Sequence, residues 1–272
     1  MIMETKFGYQ VQWGKDLSDA IKRLSNFVGK DGLRPAFSGI NFSYTPEKGL
    51  RLCANDGETI LVITIKQTNG TPVPFNKTIN PSDIPKGLKG FAYNPETDKL
   101  VMVGSDNNPV EVPEIETESK DGKLIKAQYP NYDVVFPEKT EKGFHYDNWF
   151  ITPKSFQGQM EAFRRAKVGK FVRIMLNNSQ IKITSQDLDL DIEMSASNKA
   201  DVYVDGEKVN EGGNFAMYGF TFGINPANLC KCFVKDNCPQ IYFKAFDKMF
   251  IMQNYNPLGS ELIGIMPVYL HV

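Results

Sequence analysis

The sequence repeats one pattern twice. An amphipathic helix leads into a run of short alternating segments, once in each half, and a fold for this chain has to hold both copies. In residues 15–28, Leu17, Ala20, Ile21, Leu24, Phe27 and Val28 stand at offsets 0, 3, 4, 7, 10 and 11, which lays one apolar stripe along a helix. Residues 36–44, 49–54 and 59–66 then predict strands. They are rich in branched and aromatic side chains and are separated by Glu47-Lys48-Gly49 and Asn55-Asp56-Gly57, sequences suited to tight turns.

The second half opens alike. Phe156, Met160 and Phe163 share a helical face in residues 153–166, and residues 171–176, 180–184 and 189–195 alternate as strands, with Asn177-Asn178-Ser179 at the first turn. The strands beginning at Leu50 and at Gln180 stand about half the chain apart, the separation of a duplicated domain. The boundary falls near residues 138–148, giving domains over 1–138 and 139–272.

Each half also carries Asn-Pro ahead of a second helix. Asn225 is a capping residue and Pro226 suits the first helical position, with Leu229, Cys232 and Phe233 following on one face. Asn80-Pro81-Ser82-Asp83 begins the same way but runs into Pro85, Gly87 and Gly90, which predict a short or irregular helix. Two helices against many short, mostly antiparallel strands in each half define an α+β fold with the helices on one face of the sheets.

Charge sets a condition on partners. With 31 Lys+Arg against 32 Asp+Glu there is no bulk attraction to nucleic acid, so a DNA-facing surface has to come from segregating charges. Opposite its stripe the first helix carries Lys15, Asp19, Lys22 and Asn26, with Arg23 and Lys30 beside them. The helix of residues 153–166 carries Lys154, Glu161 and Arg165, flanked by Arg164; Lys231 and Lys235 mark the polar side after Asn225, and Lys86 and Lys89 lie in the irregular helix. For any one of these segments a solvated surface is explanation enough.

No catalytic set is legible. The chain lacks Gly-x-x-x-x-Gly-Lys, Gly-x-Ser-x-Gly and a plausible histidine pair, which argues against an enzyme. Cys53, Cys230, Cys232 and Cys238 have no paired metal-ligand spacing and only His145 and His271 to supplement them, so neither metal nor cofactor is expected; a buried thiol explains Cys230 and Cys232 better. Asp187, Asp189 and Asp191 alternate on one strand face, where the solvated side of an edge strand competes with a cation site. Residues 1–10 include Glu4 and Lys6 and no long apolar run, which predicts a soluble, cytoplasmic protein with reduced cysteines.

Five places carry a more specific signal. They are Leu33-Arg34-Pro35-Ala36-Phe37-Ser38-Gly39-Ile40-Asn41-Phe42 with Leu52-Cys53-Ala54-Asn55-Asp56-Gly57; Gln128-Tyr129-Pro130-Asn131-Tyr132-Asp133-Val134-Val135-Phe136-Pro137; Ala162-Phe163-Arg164-Arg165-Ala166 with Lys170-Phe171-Val172-Arg173-Ile174; Phe222-Gly223-Ile224-Asn225-Pro226; and Ile265-Met266-Pro267-Val268-Tyr269-Leu270. In that order they resemble the bacterial DNA sliding clamp family, the beta subunit of replicative DNA polymerase. The likeness is to its middle domain, the crossing into its last domain, that domain's two helices and its final strand.

The resemblance implies a processivity factor without enzymatic activity, built from repeated processivity-fold domains in a head-to-tail ring whose bore is lined by helices. Lys15, Lys22, Arg23, Lys86, Lys89, Lys154, Arg164, Arg165, Lys231 and Lys235 would then face duplex DNA without reading its sequence. It also implies a groove for short peptides from polymerase and clamp loader. Its wall would be Phe37, Asn55, Gly57, Glu58, Thr59, Ile60, Pro130, Val134, Val135, Met266, Pro267, Val268, Tyr269 and Leu270; ordinary core packing is the competing account of Ile60, Val135 and Met266.

The chain departs from the family in length. Bacterial clamps have three domains per subunit and this chain has room for two, as in the clamps of some phages, so a six-domain ring requires a homotrimer. It departs in the groove as well. Glu58 and Thr59 stand where the family has His or Tyr and then Arg, Val134 and Tyr269 replace basic residues, and His271-Val272 run past the usual end. A clamp-fold decoy or adaptor that binds replication proteins without encircling DNA is the alternative.

Overall fold

In the computed structural model of the chain, residues 9–12, 14–30, 34–66, 73–119, 121–136, 144–151, 155–166, 171–177, 180–185, 191–195, 197–204, 207–210, 220–233, 242–246 and 249–266 are described. The chain divides into two compact units, one comprising Met1–Asn131 and Tyr255–Glu261, the other Tyr132–Asn254 and Leu262–Val272.

In the first unit β1 (Tyr9–Gln12) leads into α1 (Gly14–Ser25), which buries Leu17, Ala20, Ile21 and Leu24 as the stripe requires. The helix stops at Ser25, short of the expected 28. Asn26 N and Phe27 N bond back to Arg23 O and Leu24 O, a tighter last turn that still buries Phe27.

The strands β2 (Ile40–Thr45), β3 (Gly49–Asn55), β4 (Thr59–Ile65) and β5 (Phe75–Ile79) pair antiparallel in the order β4-β3-β2-β5. The strand expected over 36–44 begins only at Ile40. Pro35–Ser38 forms a 3₁₀ turn instead, because proline suits the start of a helical turn and Phe37 N and Gly39 N bond to Arg34 O and Ala36 O.

β6 (Gly90–Asn94), β7 (Lys99–Val103) and β8 (Pro109–Val112) join β1 in a second sheet, ordered β1-β6-β7-β8. Phe42 meets Phe91 edge-on with ring centres 5.1 Å apart, and Phe75 stacks on Tyr93 at 4.8 Å, so aromatic pairs join the two sheets. A small hairpin follows, β9 (Glu116–Glu118) with β10 (Leu124–Lys126).

Where a short helix was expected, Pro81–Asp83 makes a single 3₁₀ turn. Asn80 Oδ1 accepts from Ser82 N at 3.0 Å, and Pro85 and Gly87 prevent continuation. The segment Tyr255–Glu261 completes the unit beside β4, where Leu258 O accepts from Lys66 N at 3.0 Å. A Cβ on Gly259 would overlap Thr64 O, so no other residue fits there.

The second unit begins with a 3₁₀ turn at Tyr132–Val135 and continues with β11 (Phe144–Ile151), α2 (Ser155–Ala166), β12 (Val172–Asn177), β13 (Gln180–Ser185), β14 (Asp191–Ser195), β15 (Ser197–Val204) and β16 (Glu207–Asn210). Then come β17 (Phe220–Ile224), α3 (Pro226–Cys232), β18 (Tyr242–Phe246), β19 (Met249–Asn256) and β20 (Gly259–Ile265), the last two also supplying the Tyr255–Glu261 segment of the first unit. Its sheets run β14-β13-β12-β17 and β16-β15-β11-β18-β19.

The two units repeat one arrangement. β17 lies beside β12 as β5 lies beside β2, and β11 beside β18 as β1 beside β6, with α3 in the place of the Pro81–Asp83 turn. Asn225 Oδ1 caps α3 by accepting from Ala227 N at 2.9 Å, and α2 packs on α3 with Met160, Phe163, Leu229 and Cys232 buried. Asp191 starts β14 at the sheet's edge; Asp187 and Asp189 lie outside the described residues. Among the described residues no helix is long and apolar enough to cross a membrane, and no cluster of His, Cys, Asp or Glu is placed to hold a metal.

Candidate DNA and peptide surfaces

Lys15 and Lys22 are exposed on α1, with Lys22 Nζ 3.4 Å from Asp19. Arg23 differs. Its Nε and Nη2 each lie 3.1 Å from Glu261 Oε2, and the two side chains are only 13% and 2% exposed. A guanidinium paired with a buried carboxylate has part of its hydrogen-bonding capacity committed inside the first unit.

Lys86 and Lys89 are exposed on either side of Gly87, with Lys89 Nζ donating to Asn107 Oδ1 at 2.8 Å and to Ser105 O at 3.3 Å. On α2, Arg164 and Arg165 are exposed and Glu161 engages both: Arg164 Nε donates to Glu161 Oε2 at 3.0 Å, and Arg165 Nε lies 3.6 Å from Oε1. Arg164 holds the Glu161 carboxyl down at about 2. Burial, with the Glu161 charge behind it, pushes the Cys230 thiol up to about 12, which makes it an inert sulfhydryl. Lys231 is half-buried on α3; Lys154 and Lys235 lie outside the described residues.

The expected peptide wall begins at Phe37, which is buried. Its ring centre lies 6.1 Å from that of Tyr129, the Arg34 guanidinium sits 5.3 Å above it, and Cys53 Sγ is 3.8 Å from Tyr129 Oη. Arg34 and Tyr129 were not among the expected wall residues, although both stand in the segments that carry the resemblance. That was the available signal.

The turn over residues 55–60 folds around Asp56. Its Oδ1 accepts from Glu58 N at 3.0 Å, Thr59 N at 2.7 Å and Thr59 Oγ1 at 3.0 Å, while Asn55 Oδ1 accepts from Gly57 N at 2.7 Å. Gly57 takes φ +94°, a conformation that other residues rarely adopt. The turn presents Gly57 and Glu58 to solvent and buries Thr59 and Ile60, so core packing is the explanation of Ile60. Met266 is the opposite case at 55% exposure, and Val134 is 72% exposed. Pro130 is exposed; the side chain of Val135, and Pro267, Val268, Tyr269 and Leu270, lie outside the described residues.

No family model matches the sequence, and no curated protein matches it. Solved structures do match, along nearly the whole chain. The DNA polymerase III subunit beta sliding clamp from Pseudomonas aeruginosa bound to griselimycin superposes with a TM-score of 0.66 at 14% identity, covering 99% of this chain and 68% of that one. The Helicobacter pylori beta clamp in complex with carprofen gives 0.65 at 13% identity, covering 99% and 69%. The same organism's clamp bound to DNA ligase peptide gives 0.62 at 12%, covering 99% and 68%. Two units that repeat one order of strands and helices, superposing on these clamps over nearly every residue, give the chain the fold of the bacterial DNA sliding clamp.

Proposed function

We propose that this chain is a shortened, two-domain DNA sliding clamp. It is a processivity factor rather than an enzyme, encircles duplex DNA in the cytoplasm, and tethers a replicative polymerase and its clamp loader through short peptides. The observation that carries this reading is the superposition of 99% of the chain on beta clamps. With domains over 1–138 and 139–272, a six-domain circumference makes a head-to-tail homotrimer the closed form.

Exposed Lys15, Lys22, Lys86 and Arg165 would supply sequence-independent phosphate contacts, and exposed Val134 and Met266 of the second unit apolar anchors for a peptide. The Helicobacter pylori clamp bound to DNA ligase peptide supports that use of the fold. Light scattering over a dilution series tests the reading. A mass of three chains, with retention on circular but not linear duplex after loading, is expected; a persistent monomer would overturn the ring.

A second reading, a clamp-fold adaptor that does not encircle DNA, is favoured by the pairing of Arg23 with Glu261 and of Arg164 with Glu161, which leaves fewer cations for phosphate. It predicts the monomer and no retention on circular DNA.

A further inference from the structure

The connection that leaves β8, described over residues 113–119 and 121–129, is held to the first unit by charge as well as by packing. Its hairpin exposes Leu124 and Ile125, at 72% and 49%, and the apolar residues it buries are Ala127 and Tyr129, with Ile115 half-buried. Ile115 occupies a slot that exists because residue 39 is glycine: a Cβ there would lie 2.5 Å from Ile115 Cδ1. The main chain ties it to β5 through Ile115 N to Thr78 O at 2.9 Å, while Ala127 N to Ile115 O at 2.8 Å closes the connection on itself.

Four charges close over this segment. Lys77 Nζ lies 2.7 Å from Asp98 Oδ1 and 2.9 Å from Glu114 Oε1; Lys126 Nζ lies 2.7 Å from Asp98 Oδ2 and 2.8 Å from Glu114 Oε1. Tyr93 Oη donates to Asp98 Oδ1 at 2.8 Å. Lys77, on β5, and Asp98, in the β6–β7 turn, belong to the body of the unit, whereas Glu114 and Lys126 belong to the connection. The cluster therefore parts into two neutral pairs. The side chain of Lys77 is only 5% exposed, yet it keeps Asp98 when the other two leave, so separation strands no buried charge.

We propose that the described residues 113–119 and 121–129 form a strap, latched by the Lys77–Asp98–Glu114–Lys126 cluster, which opens as one piece and uncovers Phe37 and Cys53 while the sheets beneath stay folded. Segments with little buried apolar surface open at lower free energy than the core. Opening the strap exposes Ile115, Ala127 and Tyr129, whereas unfolding the sheets exposes Phe42, Leu52 and Phe91 as well. Tyr129 stands against both Phe37 and Cys53, so its departure removes one cover from each. Any bearing on peptide binding rests on the clamp reading above; the opening does not, and its failure would leave that reading untouched.

Native-state maleimide labelling of Cys53, mapped by mass spectrometry, reads the opening. Labelling of Cys232 in the second unit and amide exchange in β3 and β4 report global unfolding. Glu114→Gln is expected to speed Cys53 labelling about tenfold, together with amide exchange in residues 116–127, without moving the two global reports. Gly39→Ala, whose Cβ would crowd Ile115 Cδ1 at 2.5 Å and Thr78 Cγ2 at 2.7 Å, leaves every charge in place and is expected to act in the same direction. Lys99→Ala, which breaks only the exposed pair with Glu111, should leave Cys53 as it was. Cys53 labelling that rises only in step with Cys232 and the β3–β4 amides, or in neither strap variant, would overturn the proposal.

Discussion

Arg23 of α1 and Glu261 of the late hairpin are 238 positions apart in sequence and 3.1 Å apart in space, with Glu261 almost wholly shielded from water. Removing the guanidinium takes the ion-pair partner from a carboxylate that is only 2% exposed, at a cost of about 3–5 kcal/mol. Arg23→Ala is accordingly expected to lower the urea midpoint of the first unit, and Arg23→Met with Glu261→Leu to recover most of the loss. An Arg23→Ala midpoint equal to the parent's would show the pair to be energetically idle.

The proposed DNA contacts rest on exposed cations. Replacing Lys15, Lys22, Lys86 and Arg165 with alanine should weaken loading on duplex and flatten its salt dependence, by about 0.9 in the log–log slope for each phosphate no longer neutralised, while the solution mass stays the same. Loading that is unchanged at every salt concentration would remove the proposed lining.

Met266 and Val134 can be separated from Ile60 by what they disturb. Met266→Ala or Val134→Ala should weaken a polymerase-derived peptide by about 1–2 kcal/mol with little effect on unfolding, because both side chains are exposed. Ile60→Ala, inside β4, should instead cost about 2–5 kcal/mol of stability. Peptide titrations and denaturation curves on the three variants check this; the reverse pattern would place Met266 in the core.

Alkaline pH should loosen both units. Burial, and then the hydrogen bond to Asp98, pushes the Tyr93 phenol up to about 12, and burial followed by the Glu161 charge pushes the Cys230 thiol to about 12. A group raised in the folded state contributes fully below its unfolded value and loses that contribution as pH climbs toward the folded one. The windows therefore run from about 10 to 12 for Tyr93 and about 9 to 12 for Cys230. Tyr93→Phe and Cys230→Ala should each flatten the decline of the melting temperature above pH 9, and equal slopes in parent and variants would refute the assignment.

The latch behaves in the opposite sense. Lys126, and then Lys77, hold the Asp98 carboxyl well below the usual carboxylate range, so its contribution is present above about pH 4 and is lost only under stronger acid. Strap amides should keep their protection at about pH 5 in the parent and lose it there in Asp98→Ala. Loss of protection in the parent at about pH 5 would contradict a closed latch.

The parts legible in advance were those with local signals. The stripe through Leu17, Ala20, Ile21 and Leu24, the cap at Asn225 and the turns at residues 47–49 and 55–57 each depend on neighbours a few positions away. The 3₁₀ turn at Pro35–Ser38 was hidden because Ala36 and Phe37 look like the start of the strand that follows them. The pairing of Arg23 was hidden because helical periodicity sets it beside the polar face, and nothing near it in sequence announces Glu261. The cluster of Lys77, Asp98, Glu114 and Lys126 draws on four separated segments and had no signature at all. In the candidate peptide wall, the apolar character of Ile60 and Met266 was plain, but only the strand register and the chain's course decide which of them is buried.

The discontinuity of the first unit bears on how the protein is made. Asn131 leaves the ribosome long before Tyr255, so during synthesis β4 waits with a bare edge and α1 carries Arg23 without its carboxylate. Folding of this half cannot finish vectorially. A nascent chain arrested after Asn131 would present an uncovered, apolar strand to its neighbours, and the interval before Tyr255–Glu261 emerges is when the protein would depend most on chaperones.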